Sequence, residues 1–229
     1  MKRKIVILSF GMLLLTSFFV FQACKKSQTI APSDLGYSYY PMEIGAWTIY
    51  EVDSTVWDDF TGLVTTYQYK VKELNESEFT DLEDRTATRI ERYVKFSDTV
   101  SYRISDIWYS TRTSQRAERL EENKRFIKLV FPVRNGTDWD GNALNTDDRM
   151  EYEYKEVDKP YVVNGITFDS TLVVIQDQQF SLISQDTLYE VYARNVGMIY
   201  KRYQSLVTEI DGTIKSGVDY TYKYLESGK

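Results

Sequence analysis

From about Tyr39 onward, polar and apolar residues alternate with a period of two. In TTYQYKVKE, Tyr67, Tyr69 and Val71 share one face, and Gln68, Lys70 and Lys72 share the other. GVDYTYKYLE puts Val218, Tyr220, Tyr222 and Tyr224 on a single face. EYEYKEV begins the same way with Tyr152 and Tyr154, then breaks at Glu156. Such alternation marks antiparallel strands with one face on a core and one in water. Asn164-Gly165 and Asp211-Gly212 lie between strand-like runs and supply the positive φ that type I′ hairpin turns require. The turn spacing predicts roughly ten strands. The expected fold is mainly β: an antiparallel meander forming a curved sheet, half-barrel or barrel-like single domain, with a β-sandwich as the alternative.

One stretch reads differently. SQRAERLEENKR, residues 114–125, has a helix-like composition with Ser114 placed to cap it. Only Ala117 and Leu120 are apolar, too few for a buried stripe, so a polar strand or hairpin fits equally well. An internal echo also stands out. YPMEIGAW (40–47) and FPVRNGTDW (131–139) share an aromatic residue, Pro, Gly and Trp at similar spacing. Pro41 and Pro132 cannot donate to a ladder and should border strands. Gly45 and Gly136 permit tight bends, and Trp47 and Trp139 should close the ends of the core.

The N-terminus breaks the period altogether. Lys2, Arg3 and Lys4 precede an apolar run from Ile5 to Phe21, interrupted only by Ser9, Gly11, Thr16 and Ser17. Ala23 and then Cys24 follow. This is the layout of an export signal. A spanning helix needs about 20 apolar residues, which leaves an uncleaved membrane helix as the alternative. Cys24 is the single cysteine, so no intrachain disulfide can form. Residues 25–38 are polar, carry Pro32 and Gly36, and read as a flexible tether.

Phe21-Gln22-Ala23-Cys24 resembles a relaxed lipobox of the kind found in envelope lipoproteins of Bacteroidota-type bacteria. Ala23 and Cys24 match the pattern, while Phe21 and Gln22 depart from it. The Pro-Gly-Trp segments and YARNVGMIYKRY (192–203) resemble segments of uncharacterised proteins in that group. The resemblance implies a signal peptide over 1–23, cleaved before Cys24, which then carries diacylglycerol and an N-acyl chain such as palmitate. Two or three chains make a stable anchor where one does not. With that cleavage, the polar stretch gives a tether over 24–38 and the alternating pattern one β domain over 39–229. The resemblance also implies an outer-membrane lipoprotein facing the periplasm. Lys25, Lys26, Ser27 and Gln28 follow the cysteine where a surface-export tag would be acidic, although surface exposure stays open.

Composition then narrows the chemistry. The formal net charge is −6, and loss of Lys2, Arg3 and Lys4 with the leader deepens it to −9. An acidic domain without clustered Lys and Arg is no nucleic-acid binder. Histidine is absent and the one cysteine is taken by lipid, so Ser–His and Cys–His catalysis are excluded. No phosphate-cradling Gly-rich loop occurs. Calcium is the metal to consider, because DWDGNALNTDD offers Asp138, Asp140 and Asn142 at alternating positions. Counted from Asp138, the EF-hand positions for Gly and the final acid hold Ala143 and Arg149 instead, so a solvated turn is the alternative. No other cofactor is expected. Asp followed by Ser or Thr and then a small or aliphatic residue recurs at Ser54, Thr99, Ser170 and Thr187. It resembles the O-glycosylation acceptor of Bacteroidota.

These readings point to a lipid-anchored envelope protein with a binding or scaffolding role in place of an enzymatic one. Its concrete version is a hydrophobic-ligand carrier with a Tyr-rich concavity. The alternatives are a carbohydrate-binding or carbohydrate-active lipoprotein and a subunit of an envelope complex.

Overall fold

The computed structural model describes residues 34–229; the leader, the lipobox and Cys24 lie outside the described residues. Twelve strands form one sheet: β1 (Trp47–Trp57), β2 (Val64–Thr80), β3 (Thr86–Lys95), β4 (Arg103–Arg112), β5 (Arg116–Glu121) and β6 (Lys124–Val130), then β7 (Asp138–Asp140), β8 (Glu151–Val163), β9 (Ile166–Phe180), β10 (Ser184–Ala193), β11 (Gly197–Thr208) and β12 (Ile214–Gly228). Every neighbouring pair is antiparallel, and the order is β6-β5-β4-β3-β2-β1-β12-β11-β10-β9-β8-β7. The chain is thus a meander whose last strand pairs with its first. The two edges also meet. Ile127 N donates to Gly141 O at 2.9 Å, and Trp139 Nε1 donates to Ile127 O at 2.9 Å. The result is a nearly closed barrel, so the sandwich alternative is set aside.

Alternation decides which side chains enter the lumen. Tyr50 and Val52 of β1, Val71 of β2, Tyr152 and Tyr154 of β8, and Leu172 and Val174 of β9 are buried together there. The helix-like stretch is a hairpin instead: β5 and β6 flank Glu122-Asn123, both at positive φ (47° and 62°). Charges on both faces had masked its period. Asn164-Gly165 forms the tight turn expected of it, at φ 47° and 76°. Around Asp211 the loop is longer. Glu209 pairs with Thr213, and only Gly212 takes the left-handed conformation (φ 87°).

The break at Glu156 has a structural counterpart. Glu156 and Asp158 adopt positive φ (51° and 57°), and the β8–β9 register shifts between Lys155 and Tyr161. Beyond this bend the hairpin folds back as an arm over the outer faces of β10 and β11. Its tip reaches β12, where Asn164 Nδ2 donates to Tyr224 O at 3.1 Å. Val163, Val191, Ala193 and Ile199 form a second core beneath the arm.

The meander also sorts the loops between two ends. Turns 81–85, 113–115 and 194–196 lie at one end, and segment 34–46 closes it. Leu35 O accepts from Val133 N, Tyr37 OH donates to Ser114 O, and Ser38 O accepts from Asn195 N. Residues 34–38, expected in the tether, therefore pack on the barrel, with a 3₁₀ turn over Tyr37–Tyr39. Turns 58–63, 96–102, 122–123, 181–183 and 209–213 and loop 141–150 lie at the other end, with the β1–β2 hairpin extending past the β3–β4 turn, since Lys70 of β2 pairs with Lys95.

Candidate functional site: a charged barrel lumen

The lumen is not the apolar concavity that the tyrosine ladder suggests. Four acids, Glu73, Asp106, Glu121 and Glu190, face four bases, Arg92, Arg119, Lys128 and Lys201. Each strand contributes by parity. Glu190 shares its face of β10 with Leu188 and Tyr192, and Arg92 shares its face of β3 with Ile90. Lys128 sits at a register shift in the β5–β6 pairing.

Lys128 Nζ lies 2.7 Å from Glu190 Oε1 and 3.6 Å from Glu121, while Lys201 Nζ lies 3.4 Å from Glu190. Tyr192 OH donates to the other Glu190 oxygen at 2.6 Å. In the second cluster, Glu73 accepts from Arg92 Nε at 3.1 Å and from Arg119 Nη1 at 3.2 Å. Arg92 also reaches Asp106 at 3.0 Å and Tyr222 OH at 3.2 Å. Its guanidinium covers the Trp108 ring at 3.6 Å from the centroid. The formal charges cancel and each acid has a cation beside it.

Two cavities flank the Glu73–Arg119 pair, and both are lined by these two residues and Met198. One, of about 340 Å³, opens toward the plugged end beside Tyr40, Trp47 and Tyr192. The other, of about 280 Å³, is walled by Trp108, Glu121, Lys201, Tyr220 and Tyr222.

Burial and charge compete in the lumen, and charge wins. Burial alone would raise Glu190, but Lys128 and Lys201 hold it well below the ordinary carboxylate range. Glu121 is lowered against burial by Lys128 and Lys201 in the same way. Burial would lower Lys128, yet Glu121 and Glu190 raise it. Tyr50 and Tyr192 are pushed well up, chiefly by burial. Such a wall suits a neutral, hydroxyl-bearing molecule, which can meet donors and acceptors alike. A hydrocarbon chain would leave paired charges facing it unsolvated.

The sequence-derived candidates do not gather at the lumen as a group. Ser54 is buried on β1, sharing its parity with Val52. Thr99 stands exposed in the β3–β4 tip. The Ser170 hydroxyl is held at the arm's bend, donating to Asp158 at 2.6 Å beside Tyr39 OH and Arg194. Thr187 is half-buried on β10.

Asp138 is exposed, and Asp140 Oδ1 accepts from the Asn142 and Met150 backbone amides at 3.0 and 3.2 Å. Asn142 Nδ2 donates to Asp148 O. Their oxygens and amides thus cap a turn, and among the described residues no group of three or more acids has metal-binding geometry. The lumen charges went unnoticed in the sequence, although a signal was present: Glu190 and Arg92 each carry a charge on the parity of buried apolar neighbours.

No family model matches the chain, and no curated protein matches it. Among solved structures, it is similar to one from Parabacteroides distasonis ATCC 8503 described as a "putative lipoprotein". The identity is 11%, the match covers 83% of this chain and 98% of that one, and the TM-score is 0.34. Among the described residues no helix is long and apolar enough to cross a membrane.

Proposed function

We propose that the protein is a lipid-anchored lipoprotein of the cell envelope whose barrel binds a small polar ligand without catalysing a reaction. The anchor reading rests on Cys24 behind its apolar leader. The barrel exterior supports a domain standing in water beside the membrane. Charged ladders run along it, with Asp53 bound to Lys223 at 2.7 Å and Arg89 to Glu76 at 2.9 Å. Attachment to the outer membrane, facing the periplasm, follows from the lipobox and the residues after it.

The observation that carries the binding reading is the pair of lumen cavities with mutually neutralised charges. Their lining favours a carbohydrate-like ligand over the hydrophobic cargo of a carrier. With each carboxylate committed to a cation, the lumen has no free acid–base pair, which supports a binder over a glycosidase. Of the four glycosylation candidates, Thr99 is the accessible one.

Intact-mass analysis of the membrane-extracted protein tests the anchor. The expected species lacks residues 1–23 and carries acyl chains; an intact leader without lipid overturns the reading. Titration with mono- and disaccharides, followed by tryptophan fluorescence, tests the lumen. Saturable binding lost in Trp108→Ala supports it. No response to any sugar, alongside binding of a fatty acid, overturns it in favour of a carrier.

A further inference from the structure

Hydrogen bonds are shared unevenly among the lumen charges. Glu73 and Glu190 each accept from two donors, and Asp106 accepts from Arg92 at 3.0 Å. Glu121 accepts none from the described residues: its neighbour Lys128 lies 3.6 Å away, beyond hydrogen-bond reach. The bases divide in the same way. Arg92, Arg119 and Lys128 donate to these acids, whereas Lys201 donates to none of the described residues. Its Nζ lies 3.4 Å from Glu190 Oε1, which already accepts from Lys128. The acid and the base left over in this way line the same cavity, of about 280 Å³, and no ion pair joins them. Burial opposes the charge of each, but Lys128 and Lys201 hold Glu121 down, and Tyr220, Glu190 and Glu121 hold Lys201 up. Both heads are charged at neutral pH. A buried charge without a hydrogen bond draws a polar partner into the space beside it.

We infer that Glu121 and Lys201 are the specificity-determining edge of this cavity, bridged by neighbouring hydroxyls of one sugar ring. The assignment rests on the carbohydrate reading above and names the groups that discriminate within it. A hydroxyl suits both heads, since it donates to a carboxylate and accepts from an ammonium. A charged ligand suits neither. An ammonium approaching Glu121 meets Lys128, and a carboxylate approaching Lys201 meets Glu190, so a free amino acid is repelled at each end. Trp108, Tyr220 and Tyr222 supply the aromatic part of the lining. Two of these rings are braced. Glu122 Oε1 accepts from Trp108 Nε1 at 3.2 Å, and Tyr220 stacks on Tyr203 at 4.9 Å with the planes 5° apart. A pyranose has the same two characters: a rim of hydroxyls, and C–H faces that pack on aromatic rings.

The test titrates the full chain, extracted in detergent, with D-glucose, D-galactose and D-mannose by tryptophan fluorescence. The tightest binder is then repeated in each of its monodeoxy forms. Removing a bridging hydroxyl should weaken binding roughly ten- to a hundredfold, the worth of a hydrogen bond to a charged group. Glu121→Gln should weaken the parent sugar by a similar factor, and the hydroxyl facing Glu121 should then no longer matter. Lys201→Met should do the same for the neighbouring hydroxyl. A purely structural role for either residue would weaken parent and deoxy sugars alike. Glu121→Gln with Lys201→Met keeps the lumen neutral and serves where a single change shifts the urea midpoint; it should abolish discrimination at both positions. Equal weakening of parent and deoxy sugars in every variant overturns the assignment and leaves the lumen reading standing. Displacement of the bound sugar by glycine overturns the preference for hydroxyls over charge. No response of the wild type to any sugar overturns the carbohydrate reading and this assignment with it.

Discussion

Lys128 on β6 and Glu190 on β10 meet across the lumen at 2.7 Å, joining an edge strand of the sheet to one well inside it. Both are almost completely buried. Replacing Glu190 with Leu leaves Lys128 and Lys201 facing Glu121 alone. The expected loss is about 3–5 kcal/mol, the usual cost of stranding a buried charge. Replacing both, as Lys128→Met with Glu190→Leu, removes one charge of each sign and leaves Lys201 with Glu121. The double variant should recover most of the lost stability. Urea unfolding of the wild type, both single variants and the double variant measures the coupling. Additive losses would mean that the pair does not act as a unit.

The same carboxylates set the response to acid. Glu190, Glu121 and Glu118 are all held below the ordinary glutamate value of 4.5, and Asp158 below 3.8. For each, the unfolded chain binds the proton first as pH falls, so stability rises with pH across that window. Their contribution is complete above about pH 4.5 and is lost as pH drops through the lowered folded values. The urea midpoint should be flat from pH 5 to 7 and fall steeply below about 4.5. Glu190→Gln should flatten that fall. An unchanged slope would show that Glu190 is not the group being protonated.

Tyrosines set the alkaline limit. Burial pushes Tyr152 and Tyr200 up to about 12, and Tyr50 and Tyr192 are raised well above the ordinary value of 10. Here the unfolded chain loses protons first, so stability falls as pH rises from about 10 toward 12. Spectrophotometric titration of the folded protein should show Tyr50, Tyr152, Tyr192 and Tyr200 ionising only above pH 10. In urea all should ionise together near 10. A single transition at 10 in the folded protein would mean that the lumen is open to water.

How far the fold was legible follows from where one face is dry. Tyr152 and Tyr154 announce β8, and alternation fails at Glu156 because a bulge over 156–158 inserts extra residues opposite Leu172, so that Val157, not Glu156, packs on the barrel core. The 114–125 hairpin was ambiguous for another reason. Arg119 and Glu121 point into the lumen with charges as polar as those of Arg116 and Glu118 outside, so its two faces look alike. The candidate site was legible only in hindsight. A charge such as Glu190 betrays itself by sharing parity with buried residues, but its partner Lys128 comes from a distant strand. That pairing depends on closure between β6 and β7, which no local pattern encodes. Ser54 shows the converse: a motif chosen by its neighbours in sequence lies on the inward face.

The arm is the part of the molecule most able to open by itself. It is held by Val163, Tyr161 and Phe168 against Val191, Ile199, Tyr200 and Tyr224, and by the single Asn164–Tyr224 hydrogen bond at its tip. The barrel beneath is closed without it, since β10, β11 and β12 pair with one another regardless. Val163→Ser removes buried apolar surface and should weaken docking by about 1–2 kcal/mol. The effect should be local: amide hydrogen exchange over 160–168 speeds up roughly five- to thirtyfold, while β1 and β12 keep their protection. A uniform rise in exchange across the sheet would show instead that the arm and the barrel unfold as one unit.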